Sequence, residues 1–441
     1  MKRLRITGGT VVTLGPDNRV LPGHDVLVEG DRITAIEPSK QRTSAGETPI
    51  DARGKVILPG FINAHMHFYS TFVRGLGKAA PSKNFVEVLR NLWWRLDRKL
   101  SLEDCRYSAL VAGIDAIRHG TTTLIDHHAS PGAVRGSLDA VASAVGEAGL
   151  RASLCYEVSD RDGAAVAEDG LAENAAFLDR VADAPDGRLH GLFGLHAAFT
   201  VGDKTLDKAV ELARSRGAGF HIHVAEDLAD QQHSQETHGL RVVERLRRHG
   251  VLGPSTICAH CVHVDGAEMD ALVATDTMVV HNPQSNMNNA VGVADLFALL
   301  GKGVLCGLGT DAMTTNMLEE VRSALWLHHL NCKNPSVGFV EVLSLLLRNN
   351  QRITDRLFPG QLGELAVGRK ADLVLIDYVP PTEFSGNTFL GHVAFGLSQA
   401  AVDTTIVDGE VLMQGKRLLH LDEERIAARA RELSAALWER F

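Results

Sequence analysis

Val56-Ile-Leu-Pro-Gly-Phe-Ile-Asn-Ala-His65-Met-His67 is an apolar run that ends in two histidines two positions apart. Residues i and i+2 of a strand point the same way, so both imidazoles can face one cation. Alone, a His-x-His pair is a weak signal, because half-buried strands carry incidental histidines. The rest of the chain supplies partners. Seven more apolar runs follow, at 121–127, 151–158, 191–198, 219–226, 256–264, 277–282 and 304–311. Between them lie longer amphipathic stretches such as 102–119 and 204–217, with apolar residues every three or four positions. Strands alternating with helices predict parallel βα units, and eight of them make a (β/α)8 TIM barrel.

The strand ends carry the chemistry. After His65 and His67 come Asp126, His127 and His128, then Glu157, His196, then His221, His223 and Glu226. His260 and His263, His281 and Asp311 complete the series. Parallel strands in a barrel deliver their C-terminal ends to one face, so these residues converge there. In His221-Ile-His223-Val-Ala-Glu226, parity leaves open which histidine ligates. Glu226 either reaches a metal-bound water or is a carboxylate at a helix N-terminus. Asp311 is either a ligand or base, or the N-cap of the next helix. Cys258-Ala-His260-Cys261 has the Cys-x-x-Cys spacing, but a structural zinc needs two more ligands and no second such pair exists. His260 is therefore read as the working residue and the cysteines as small packing groups.

The flanking segments differ in texture. Residues 4–14 are β-branched and broken by Gly8-Gly9, and 25–36 read as a hairpin turning at Glu29-Gly-Asp-Arg32. Residues 372–377 are strand-like, and 404–413 form a second hairpin, at Asp408-Gly409. Two all-β pieces at opposite chain ends predict one small sheet domain with the barrel inserted between them.

Composition narrows the class. The chain has 441 residues, 45% of them hydrophobic, and a net charge of −9. That argues against general nucleic-acid binding, which needs a basic face. The cluster Arg241-Val-Val-Glu-Arg-Leu-Arg-Arg248 is read as the solvated face of a helix. No apolar run is long enough to span a bilayer and none resembles a secretory signal. Six scattered cysteines suit a cytoplasmic protein. A homo-oligomer, by default a dimer, is expected. There is no Gly-x-Ser-x-Gly elbow and no Pro-Cys-x-x-Cys, which disfavours serine hydrolases and the His/Cys zinc deaminases.

Five motifs in order, Leu58-Pro-Gly-Phe-Ile-Asn-Ala-His-Met-His67, His223-Val-Ala-Glu226, Ala259-His-Cys-Val-His263, His281-Asn-Pro-Gln-Ser-Asn286 and Gly309-Thr-Asp311, resemble the amidohydrolase superfamily. The likeness is to its cytosine deaminase and chlorohydrolase branch. Phe68-Tyr-Ser-Thr-Phe72, Gly194-Leu-His-Ala-Ala-Phe-Thr200 and His223-Val-Ala-Glu-Asp227 look most like the SsnA-type aminohydrolases. The resemblance implies a barrel over 58–361 and a composite β-sandwich from 1–57 and 362–441. It implies His65, His67, His223 and Asp311 as metal ligands, and Glu226, His260 and Asp311 as catalytic residues. His196 is implied to contact substrate. The strand before His196 lacks the lysine that bridges two metals in relatives, so one divalent ion is expected, zinc with iron as the alternative.

The implied reaction is deamination: a metal-bound hydroxide displaces ammonia from an amino-bearing heterocycle, amidine or guanidine. The rivals are a dechlorinase or cyclic amidase on the same centre, and a non-catalytic scaffold. The segment 68–100 is a candidate lid, in which Trp93 and Trp94 either stack on a planar substrate or serve as core or dimer contacts.

Overall fold

The computed structural model describes residues 3–40, 45–183, 187–358 and 360–441. The strands of the first segment are β1 (Arg3–Val12), β2 (Val20–Glu29), β3 (Arg32–Pro38), β4 (Thr48–Asp51) and β5 (Lys55–Pro59). The middle holds β6 (Phe61–Met66), β7 (Thr121–Asp126), β8 (Arg151–Leu154), β9 (Leu189–Gly191), β10 (Phe193–Ala197), β11 (Phe220–Val224), β12 (Ile257–His260), β13 (Met278–His281) and β14 (Cys306–Leu308). The last segment adds β15 (Leu373–Asp377), β16 (Val402–Val407), β17 (Glu410–Gln414) and β18 (Arg417–Leu418).

The middle strands are parallel and form two sheets, β6-β7-β8-β9 and β10-β11-β12-β13-β14. Isolated parallel bridges join the sheets at both borders, Val158 to Leu195 and Met66 to Asp311. β9 and β10 are one extended run interrupted at Leu192, so the eight expected runs are all present. Apart from half-buried Leu189 and His190 of β9, their residues are buried on both faces, as strands covered by helices must be.

Each run ends earlier than its apolar pattern does. Ala225, His260, Cys261 and Asp311 have positive φ, which breaks the ladder and turns the chain at the strand ends. The run 56–67 differs in another way: it divides at Gly60. Residues before it pair with the terminal sheet, and Gly60 N–H donates to Asp372 O at 2.9 Å. Residues after it enter β6. A Cβ at Gly60 would lie 2.2 Å from Thr122 Oγ1, so the crossing point requires glycine.

Strands of both chain ends join in one nine-stranded sheet, β18-β17-β16-β15-β5-β1-β2-β3, with β4 on β1. Leu4, Ile6, Val26, Ile33, Leu373 and Ile406 belong to its own apolar cluster. Both expected hairpins turn where the sequence places them, between Glu29 and Arg32 and between Val407 and Glu410. The sheet is tied to the N-terminal ends of the parallel strands by a buried ion network. Arg151 donates to Asp408 at 2.7 Å and to Asp372 at 3.3 Å, and Arg188 donates to Asp408 at 3.1 Å.

The helix Leu102–Arg118 starts in a capping box made by Ser101 and Asp104. The C-terminal helix Glu423–Arg440 packs along it. The basic cluster needs a correction. Arg247 and Arg248 do pair with Glu244 at the surface, but Arg245 is 1% exposed and donates to Asp203 and to the carbonyls of Ala198 and Val201. It anchors the loop after β10. Among the described residues no helix is long and apolar enough to cross a membrane.

Candidate metal centre and cleft

The C-terminal ends of the parallel strands surround a cleft. His67, Glu157, His196, His223, Glu226 and Asp311 line it. His65 and His260 lie beneath, with no exposed surface. The structure therefore gathers every residue singled out as ligand, catalyst or substrate contact.

Hydrogen bonds set the ring tautomers. His67 Nδ1 donates to His127 O and His223 Nδ1 to His196 O, because a carbonyl can only accept. His260 Nδ1 lies 2.9 Å from Asn286 Oδ1. In this arrangement Nε2 of His223 and of His260 keeps its lone pair, while His67 Nε2 faces the Asp311 carboxylate. His67 Nε2 is 2.8 Å from Asp311 Oδ1, His65 Nε2 is 3.8 Å from the same oxygen, and His260 Nε2 is 3.7 Å from Asp311 Oδ2. His65, His223, His260 and Asp311 each offer a ligand atom within 4.8 Å of the others. The Nε2 atoms of His65 and His260 are buried without a hydrogen-bond partner. Imidazoles plus one carboxylate, with orphaned nitrogens, fit a divalent transition metal. The two rings at 221 and 223 are placed differently: His223 faces the cleft, while His221 Nε2 sits 2.8 Å behind His65 Nδ1.

Electrostatics separate the two carboxylates. Burial, then the charge of Asp311, holds the Glu226 carboxyl well above the usual range, against a hydrogen bond from Asn289. Burial also raises Asp311, but the His67 hydrogen bond and the surrounding imidazoles outweigh it and its pKa is lowered. Burial and neighbouring histidines hold His65 and His223 neutral. His67 is raised, because Asp311 and Glu157 together overcome its burial. One carboxyl is thus pushed toward its protonated form beside one held toward its ionised form, the pairing that divides acid and base work.

Three supporting side chains were not assigned roles from sequence. Ser285 donates to Asp311 Oδ2, Asn286 orients His260, and Asn289 donates to Glu226 Oε1 at 3.3 Å. All come from the short helix Pro283–Asn288 or the residue that ends it. The i, i+4 spacing of Ser285 and Asn289 was the available signal, but nothing local shows what that face meets.

The profile of the Amidohydrolase family matches residues 56–412. The chain belongs to the amidohydrolase family. It is 33% identical to a 5-methylthioadenosine/S-adenosylhomocysteine deaminase of Pelotomaculum thermopropionicum, over 100% of both chains. It is also 33% identical to a 5'-deoxyadenosine deaminase of Methanosarcina acetivorans, over 99% of each. The fold is shared with a zinc-bound adenosine deaminase from Xanthomonas campestris, with a TM-score of 0.86, 23% identity and 98% of each chain covered. An atrazine chlorohydrolase from Arthrobacter aurescens with zinc gives a TM-score of 0.82 at 23% identity, covering 98% of this chain and 100% of the other.

Above the metal centre the cleft is aromatic. Phe85, Leu89, Trp93, Trp94 and Phe199 line it, and the Trp94 ring centroid is 6.4 Å from that of His196. Both tryptophans of the 68–100 segment therefore face the cleft. No lysine or arginine is among the lining residues described.

Proposed function

We propose that this amidohydrolase is a metal-dependent deaminase of amino-bearing heterocycles, with adenine-type nucleosides the first class to test. The observation that carries the reading is the convergence of buried imidazole nitrogens on Asp311, beside the buried Glu226 carboxyl, at the floor of an aromatic slot. A divalent metal held by His65, His67, His223 and Asp311, one per chain, supplies the Lewis acidity that makes water nucleophilic at neutral pH. Zinc is the first candidate and iron the second. Glu226 gives its proton to the ring nitrogen next to the amino-bearing carbon, which makes that carbon electrophilic. Asp311 and His260 take the proton of the attacking water and pass it to the departing ammonia. His196 contacts the ring from the side.

The slot suits a flat ring. Trp94 Nε1 and Asp97 Oδ1, both buried without partners, offer a donor and an acceptor for sugar hydroxyls. The lack of cations among the described lining residues disfavours phosphorylated substrates. In this reading the parallel strands close as a (β/α)8 barrel over 58–361, and 1–57 with 362–441 form the composite β domain.

The test is ammonia release from adenosine, 5'-deoxyadenosine, 5-methylthioadenosine, S-adenosylhomocysteine and AMP, with Glu226→Gln as control. Release from nucleosides but not AMP is expected. Chloride release from chlorotriazines with no ammonia from any amine would replace the reading with dechlorination.

A further inference from the structure

Glu157 is a buried carboxylate that the reaction above does not use. Its side chain is 3% exposed, yet it forms part of the cleft wall. Three imidazole nitrogens approach it: His67 Nδ1 at 3.2 Å, His127 Nδ1 at 3.3 Å and His196 Nε2 at 3.8 Å. His67 is an ion-pair neighbour of Glu157, but no well-directed hydrogen bond reaches the carboxylate from any of the three. The His67 Nδ1 proton goes to His127 O. His127 Nε2 is 3.1 Å from His221 O and must donate there, which leaves Nδ1 of the neutral ring a lone pair. Thr200 Oγ1 donates to Ala197 O, so it accepts from His196 Nδ1 at 2.7 Å, and His196 Nε2 is also left as an acceptor. Accordingly Glu157 Oε1 and His127 Nδ1 are both buried without partners.

A buried carboxylate without a donor costs more than almost any other polar group, and a ligand that brings donors relieves that cost. The whole wall points the same way. Asp97, Glu157, Glu226, Asp227, Asp230 and Asp311 line the cleft, and among the described residues no lysine or arginine does. Adenine offers little to such a wall, since its free ring nitrogens are acceptors and its one amino group is the one that leaves.

We propose that Glu157 and His196 form a two-acceptor subsite that selects substrates carrying a second N–H donor, such as a further ring amino group, an amidine or a guanidine. This deepens the deaminase reading and rests on it for the identity of the leaving group. Glu157 is then a specificity-determining residue that touches the substrate.

Matched pairs test it. The metal-loaded enzyme is assayed with adenosine and 2,6-diaminopurine riboside, which differ only by the second amino group. A charge-assisted hydrogen bond predicts about tenfold or greater preference in kcat/KM for the diamino compound. Glu157→Gln, which replaces one acceptor oxygen by an NH2 donor, removes or inverts that preference. Equal rates in the wild type, or an unchanged preference in the variant, overturn the proposal.

Calorimetric binding of benzamidine and benzamide gives a readout without turnover, so the inference stands or falls even if no purine is deaminated. Benzamidine is expected to bind about tenfold tighter than benzamide, and only with Glu157 present. Equal binding by the wild type overturns the proposal whether or not the variant folds. Two metal ions per wild-type chain and one in Glu157→Gln would also overturn it, by assigning the acceptors to a second cation.

Discussion

The two ends of the parallel strands treat buried charge in opposite ways. At the N-terminal end, Arg151 is 1% exposed and has both Asp372 and Asp408 as partners. In the terminal sheet, Arg5 is matched by Asp25, Glu37 and Glu47. No described residue below 65 or above 329 has a buried polar side-chain atom without a partner. At the C-terminal end the orphans gather: His65, Trp94, Asp97, Asp126, His127, His128, Glu157, His260 and His281 each have one. Burying a polar group unsatisfied is costly, and the described residues of the terminal sheet carry no such atom, although Asp104, Ser137, Ser234 and Glu320 in the barrel's helices do. The open end is where a metal and a substrate complete the hydrogen bonding.

The largest effect expected is on turnover at the open end. Glu226→Gln should lower ammonia release about 10²- to 10⁴-fold while elemental analysis still finds the metal. Loss of metal in that variant would mean that Glu226 supports the ligands. The next effect is structural, at the closed end. Arg151→Met leaves Asp372 and Asp408 buried without their shared cation, and urea unfolding should show a loss of about 3–5 kcal/mol. The specific activity of the folded fraction should not change. A fall in activity would show that the two ends communicate.

Chelation sharpens the same contrast. Metal at 100 to 1,000 times its dissociation constant adds about 3–4 kcal/mol, and that loss on chelation should be the same in wild type and Arg151→Met, as for independent sites. The smallest effect concerns Glu320, whose carboxyl burial pushes up to about 8. A raised folded pKa means the wild type loses stability as pH climbs from about 4.5 through 8. The loss persists above that, because the folded state then carries the buried charge. Glu320→Gln removes this dependence, so its stability relative to wild type should rise by at least about 1 kcal/mol between pH 5 and pH 9. Parallel pH profiles would show that the carboxylate is solvated.

Much of this was legible in one dimension. Alternating apolar runs identified the strands, and the histidines and carboxylates at their ends identified the face that carries the site. Both hairpins were readable because Glu29-Gly-Asp-Arg32 and Asp408-Gly409 sit between β-branched runs. The basic cluster misled at Arg245, since a helix period does not tell which arginine turns inward. Gly60 was hidden inside an apparently continuous strand, because only the proximity of Thr122 makes glycine necessary there.

The sequence alone determined which chemical groups exist and which ends of which strands carry them, because periodicity and residue type are local properties. Only the tertiary structure decided how they are used. It set His223 toward the cleft and His221 behind His65, fixed the ring tautomers through distant carbonyls, and raised Glu226 while lowering Asp311. It also left Glu157 Oε1 buried without a hydrogen-bond partner. Those outcomes depend on burial, and on hydrogen bonds between residues distant in the chain, such as His65 and His221, 156 positions apart, which no local pattern contains.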